Sequence, residues 1–132
     1  MKKLQVTLVL LSVILAACGG SKGDPENGKI LFEQKTIGSK EAPGCGTCHA
    51  LEVGEVIVGP SLFNVSSRVE LTIKSSAYTG EATSADEFLR ESILKPDVFV
   101  KEGFLPGIMY PKFGEELTEE QIDDLLAYLK TL

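Results

Sequence analysis

The chain has 132 residues, room for one domain. Its 43% apolar and 24% charged content is that of a globular protein, not a disordered, collagen-like or cysteine-dense one. A formal net charge of -6 excludes nucleic acid as a partner class, because binding a phosphate backbone takes a surplus of Lys and Arg.

Lys2 and Lys3 form a short positive start, and an apolar stretch then runs from Leu4 to Ala17, broken only by Gln5, Thr7 and Ser12. Crossing a bilayer core takes about 20 apolar residues, so residues 1–17 read as a signal peptide rather than a span. The stretch ends Leu15-Ala16-Ala17-Cys18. This resembles the lipobox of bacterial lipoproteins, which implies a diacylglyceryl group on Cys18 and cleavage before it. An unlipidated thiol in an exported chain would be open to oxidation, and two or three acyl chains anchor stably where one does not. Residues 18–23 are then the lipidated cysteine and a flexible tether, Gly19-Gly20-Ser21-Lys22-Gly23. Five such residues span about 12 Å root-mean-square. Removing residues 1–17 leaves 11 basic and 19 acidic side chains, a formal charge of -8.

Residues 24–132 form the folded domain. Asp24-Pro25 is a helix start, with Asp as cap and Pro at the first helical position. Ile30, Leu31 and Phe32 give this helix an apolar face, and it should end before Gly38.

Cys45-Gly46-Thr47-Cys48-His49 follows, the attachment pattern of c-type haem. Two thiols separated by a two-residue turn can add across the two vinyl groups of haem, and the next residue then lies beneath the iron. An imidazole at that place becomes the proximal ligand. Gly46, and Gly44 before it, are expected to help the chain turn. Two other readings exist for these residues. A thioredoxin-like dithiol belongs in a βαβ context, which is absent around this motif. A zinc site needs a fourth ligand or three plus water, and no second His and no further Cys remain in the domain.

Val58-Gly59-Pro60-Ser61-Leu62 comes about ten residues later. The Pro60 carbonyl is a candidate acceptor for His49 Nδ1–H, a bond that would fix the ring and strengthen it as a donor. The alternative is a plain turn with Leu62 in the core. Arg68 is a candidate partner for a haem propionate, since its guanidinium fork matches a carboxylate. A solvated surface Arg is the alternative.

Ser84 and Glu87 make a capping box for a second helix carrying Phe88, Leu89 and Ile93, stopped by Pro96. Met1 leaves with the signal, so Met109 is the only Met of the mature chain. It sits in a loop flanked by Pro106, Gly107 and Pro111. A lone Met more often fills a gap in a core. Here it follows an attachment site that leaves one iron position open, and a thioether suits haem iron and raises its potential. Lys101 and Lys112 are possible substitutes.

Thr118 and Gln121 open a third helix, with Ile122, Leu125, Leu126 and Leu129 at helical spacing. The acidic run Glu115, Glu116, Glu119, Glu120, Asp123 and Asp124 reads as a helix start and solvated face rather than a docking patch. No run alternates long enough for a sheet. The fold class is therefore all-α. The long segments 38–67 and 96–116 need a functional reason in a compact domain, and a cofactor to wrap would supply one.

Taken together, residues 24–132 resemble a class I cytochrome c. The features that match in order are Gly28 and Phe32, the Cys45–His49 motif, Gly59-Pro60-Ser61-Leu62, Arg68, Met109, and Leu126-Ala127-Tyr128-Leu129-Lys130. The resemblance implies a few helices and long loops wrapped around one covalent haem c, with the first and last helices crossing at Gly28 between Phe32 and Tyr128. It also implies an electron carrier, not an enzyme. The stretch Phe88 to Pro96, with Glu102-Gly103-Phe104, is similar to the cytochrome c domain of haem–copper oxidase subunit II. That points to membrane redox partners: a donor such as a quinol-oxidising complex and an acceptor such as a terminal oxidase, in a respiratory or photosynthetic chain. The setting would be the periplasmic or extracytoplasmic face of a bacterial membrane. The family often has Pro directly after the ligand Met, whereas here Tyr110 intervenes. The rival function is a haem enzyme or gas sensor with an open sixth position.

Overall fold

The computed structural model describes residues 23–132. The expected signal peptide and the lipidated Cys18 lie outside the described residues. Among the described residues, no helix is long and apolar enough to cross a membrane.

The architecture rests on the first and last helices. Helix α1 spans Pro25–Glu33, and its cap Asp24 accepts the Glu26 N–H at 2.9 Å. Helix α5 spans Glu119–Leu129, opened by a capping box in which Thr118 and Gln121 each accept the other's backbone N–H. The two cross at Gly28, where any Cβ would overlap the Asp124 carbonyl and lie 2.8 Å from Tyr128 Cβ. Only hydrogen lets the backbones come this close. Beside the crossing the Phe32 and Tyr128 rings meet at 5.5 Å between centroids, tilted by 59°. Leu31, Phe32, Ile122, Leu125, Leu126 and Leu129 are buried around them.

Helix α3, Ala85–Leu94, carries the expected Ser84/Glu87 capping box and buries Phe88, Leu89 and Ile93. It is tied to α5 by Arg90, which pairs with Glu119 at 2.6 Å and with Asp123, and by Lys130 to Asp86 at 2.9 Å. Asp124 is buried and accepts the Asp24 backbone N–H at 2.6 Å, fastening the start of the domain to α5. With Glu115 and Glu116 also paired to Lys40, five of the six acids in the run are engaged in internal contacts instead of forming only a solvated face.

Four elements lie outside the sequence expectations. Strands β1, Thr36–Ile37, and β2, Ala42–Pro43, form a two-residue antiparallel hairpin that buries Ile37 and Ala42. Helix α2, Val65–Ile73, starts from a left-handed Asn64 (φ 50°) whose side chain makes no capping bond. Helix α4, Phe113–Glu116, is a single turn. Each lacks the signal that sequence reading uses: the strands are too short to alternate, α2 has no cap, and α4 has no period. The molecule remains mostly helical, as expected.

Candidate functional site

A short 3-10 turn, Cys45–Thr47, carries the motif. Cys48 and His49 both donate their N–H to the Cys45 carbonyl, at 3.1 and 3.0 Å, while Thr47 Oγ1 donates to the Gly44 carbonyl at 2.6 Å. These bonds curl the chain so that Cys45, Cys48 and His49 line one cavity. The role expected for Gly44 and Gly46 changes here, because neither adopts a positive φ. Gly44 serves close approach instead: its N–H donates to the Lys35 carbonyl at 2.9 Å, and a Cβ would strike the Gln34 carbonyl.

His49 is held from two sides. Its Nδ1–H donates to the Pro60 carbonyl at 2.8 Å, and a Cβ on Gly59 would lie 2.5 Å from His49 Cε1. The ring thus packs on bare backbone. The Gly59 N–H in turn donates to the Cys48 carbonyl at 2.9 Å, and the Leu62 N–H to the Ala50 carbonyl at 2.8 Å. Burial lowers the His49 pKa, and the bond to Pro60 only partly offsets this. A neutral imidazole with Nδ1 donating leaves the Nε2 lone pair available to a metal. The Pro60 carbonyl is the acceptor expected from the sequence, whereas the need for glycine at 59 shows only where the ring lies on it.

Burial pushes the Cys45 thiol up to about 11, with a smaller contribution from Cys48. A reactive dithiol depends on a lowered thiol pKa, and Cys45 is not the cysteine to supply one. Both cysteines are free. Among the described residues, no three His, Cys, Asp or Glu side chains converge on a metal position. The zinc alternative therefore lacks a ligand set.

A further part of the lining comes from the 96–112 segment. Met109 is half-buried and lines the same cavity as His49, with Phe104, Leu105, Ile108 and Tyr110. Its loop turns at Gly103 and Gly107, both at positive φ, and Asp97 Oδ1 accepts the Gly107 N–H at 2.8 Å. Tyr110, which displaces the usual Pro, stacks edge-on against buried Phe113 at 5.1 Å. Of the two lysines considered, Lys101 lines the cavity, whereas Lys112 is exposed and faces Glu115 at 3.8 Å.

Arg68 also lines the cavity. Its Nη2 donates to the Ser61 carbonyl at 2.7 Å, while its Nε is buried without a hydrogen-bond partner. Buried N–H groups are seldom left unpaired, so this orphan donor fits an acidic group entering with a ligand. The floor is apolar: Phe88 and Phe99 line the cavity and, with Tyr78, form a trio of rings 5.4 to 5.8 Å apart. Two thiols, one neutral imidazole, one thioether, an apolar slot and an unpaired cation fit a covalently attached haem.

A small helical domain organised around such a slot defines a monohaem c-type protein. Comparison with known proteins agrees: the Cytochrome c family model matches residues 25–132, and the chain belongs to that family, whose members bind covalent haem c and carry electrons. A cytochrome c of Euglena viridis is similar to it, 30% identical over 115 residues that cover 83% of this chain and 98% of the relative.

Proposed function

We propose that this chain is an exported, lipid-anchored monohaem cytochrome c that shuttles single electrons between membrane redox proteins. The observation that carries the reading is the convergence of Cys45, Cys48, His49 and Met109 on one apolar cavity. Cys45 and Cys48 would hold the haem as thioethers, and His49 and Met109 would ligate its iron. When bound, the haem supplies a one-electron couple whose potential the His/Met pairing raises. The chain's own residues do the rest. Pro60 and Gly59 keep the His49 ring in one orientation, Asp97 ties down the Met109 loop, and Arg68 meets a propionate. Phe88 and Phe99 exclude water from the floor, which favours a small rearrangement between oxidation states.

The cavity's exposed lining supports transfer across a surface contact. Val58, Leu105 and Ile108 line it and are each about half exposed or more. The donor is a quinol-oxidising complex and the acceptor a terminal oxidase on the outer face of a bacterial membrane. Cys18, outside the described residues, carries the lipid. Intact mass should show an acylated chain beginning at residue 18, and Cys18→Ser should abolish acylation. An acyl-free mature chain starting elsewhere would remove the anchor from this reading.

The decisive test is Met109→Ala. The wild type should be low-spin with a methionine–iron band and should bind carbon monoxide slowly. The variant has no other Met and no second His in the mature chain to replace the ligand. Its potential should fall, and it should either become high-spin and bind carbon monoxide rapidly or show pH-dependent lysine ligation. Rapid carbon monoxide binding by the wild type, with no change in Met109→Ala, would favour a haem enzyme or sensor with an open position.

A further inference from the structure

Glu116 is an oddity among the surface carboxylates. Its side chain has 0% exposure although it sits on the one-turn helix α4. Oε2 accepts the Lys40 backbone N–H at 3.2 Å and the Ser39 hydroxyl at 3.5 Å. Oε1 has no hydrogen-bond partner and lies 3.5 Å from Lys40 Nζ, which also reaches Glu115 at 2.7 Å. Gly38, at φ +73°, closes over the carboxylate so tightly that a Cβ there would lie 2.6 Å from Glu116 Cβ. Burying a carboxylate is costly unless it is paired and hydrogen-bonded. Here the cost is met by a turn seventy-six residues away in sequence.

Both segments so joined run into the lining of the haem slot. The Gly38–Glu41 turn closes the hairpin β1–β2, whose second strand leads through Gly44 directly into Cys45. Glu116 lies on the helix that ends the Met109 loop, just past buried Phe113. The loop has a fastening on its other limb too, where Asp97 holds the Gly107 N–H. Between these two points, Ile108 is exposed, and Met109 and Tyr110 are half-buried. Segments of this kind open locally more easily than the packed helices.

We infer that Glu116 is a positioning residue for Met109: its buried carboxylate clasps the Gly38–Lys40 turn and keeps the distal loop closed against the half of the site that carries Cys45. The inference rests on Met109 being the sixth ligand. With haem bound, an incoming ligand would reach the iron only once the loop let the thioether go, so the clasp would set how often the site opens.

The test uses the haem-loaded full chain and measures cyanide binding to the ferric protein together with hydrogen exchange of the 105–112 amides. Glu116→Gln should bind cyanide roughly tenfold faster, the scale of one lost charge-assisted hydrogen bond, and the loop amides should exchange faster by a similar factor. Lys40→Ala, on the exposed side of the clasp, should shift both in the same direction by a few-fold. It carries the test if Glu116→Gln does not accumulate. Ile122→Val serves as the control, because it lowers global stability from within the core at a residue that does not line the cavity. It should leave both readouts unchanged. Unchanged cyanide rates in both clasp variants, or an equal acceleration in Ile122→Val, would overturn the inference. A wild type that lacks the methionine–iron band and binds cyanide at once would instead remove the assignment of Met109.

Discussion

The α1–α5 crossing and the haem slot are both built on a glycine, but for opposite ends. At the crossing, Gly28 lets two backbones touch, and the surrounding residues are large, apolar and buried. At the slot, Gly59 lets an imidazole lie on a bare backbone, and the surrounding segments are loops with exposed apolar residues. The crossing is complete within the polypeptide. The slot is lined by groups that the polypeptide does not complete: the unpaired Arg68 Nε and the disulfide-free Cys45 and Cys48, with the Met109 thioether in the same lining. A domain of this size buries a modest core, and the difference shows how it divides that core. One part carries stability, and the other is shaped around the prosthetic group.

If that division holds, breaking the crossing should damage folding most. Gly28→Val places a branched side chain against the Asp124 carbonyl and Tyr128. The helices cannot separate without uncovering Leu31, Leu125 and Leu126. The expected loss is about 3 kcal/mol, read by denaturant unfolding of the haem-loaded protein. Gly54→Ala is the internal comparison: its φ is +71° but nothing lies near its Cβ, so the cost should be the left-handed backbone alone, about 1 kcal/mol. Equal losses at the two sites would mean that the crossing has no special weight.

Gly59→Ala should give the reverse pattern. The new methyl would press on His49 Cε1 from 2.5 Å, so the ring must tilt and its bond to the Pro60 carbonyl lengthen. Stability should fall by only about 1 kcal/mol. The reduction potential and the proximal histidine signals should move clearly, because the orientation and basicity of a ligating imidazole depend on that bond. A variant that unfolds like Gly28→Val while keeping a native spectrum would contradict the division.

The two regions were also unequally legible. The crossing could be placed because caps, period and charge all mark the ends of α1 and α5, and the resemblance supplied their contact. Cys45, Cys48 and His49 were legible because covalent chemistry fixes their spacing. Met109 emerged from scarcity and its loop from Gly and Pro. What stayed hidden depends on contacts distant in sequence. Glu116 reads as one more acid in a run until the Gly38 turn covers it, and Asp124 until the Asp24 N–H reaches it. Gly59 looks like an ordinary turn glycine until His49 lies on it. Helix α2 carries its buried Val65 and Val69 without a cap, and exposes Leu71 on its outer side.

The smallest effect should come from α3, which sends residues to both regions: Phe88 and Ile93 line the slot, and Arg90 reaches α5. Its start is held by Glu87, whose Oε2 accepts from Thr83 Oγ1 at 2.7 Å, the Thr83 N–H at 2.8 Å and the Ser84 N–H at 3.1 Å. The Thr83 hydroxyl and N–H are the main reasons that Glu87 titrates below the ordinary carboxylate range. A carboxylate whose pKa is lower in the folded than in the unfolded chain stabilises the fold above its unfolded value, and that contribution is lost as pH falls through the folded value. Glu87→Gln can still accept a hydrogen bond but carries no charge for the helix N-terminus. The wild type should therefore exceed Glu87→Gln in stability at neutral pH by a small margin, and the margin should close as the pH falls into the acid range. The axial-ligand spectrum should not change, because Glu87 does not line the slot. A margin that is independent of pH would show that the hydrogen-bond geometry, and not the charge, holds the start of α3.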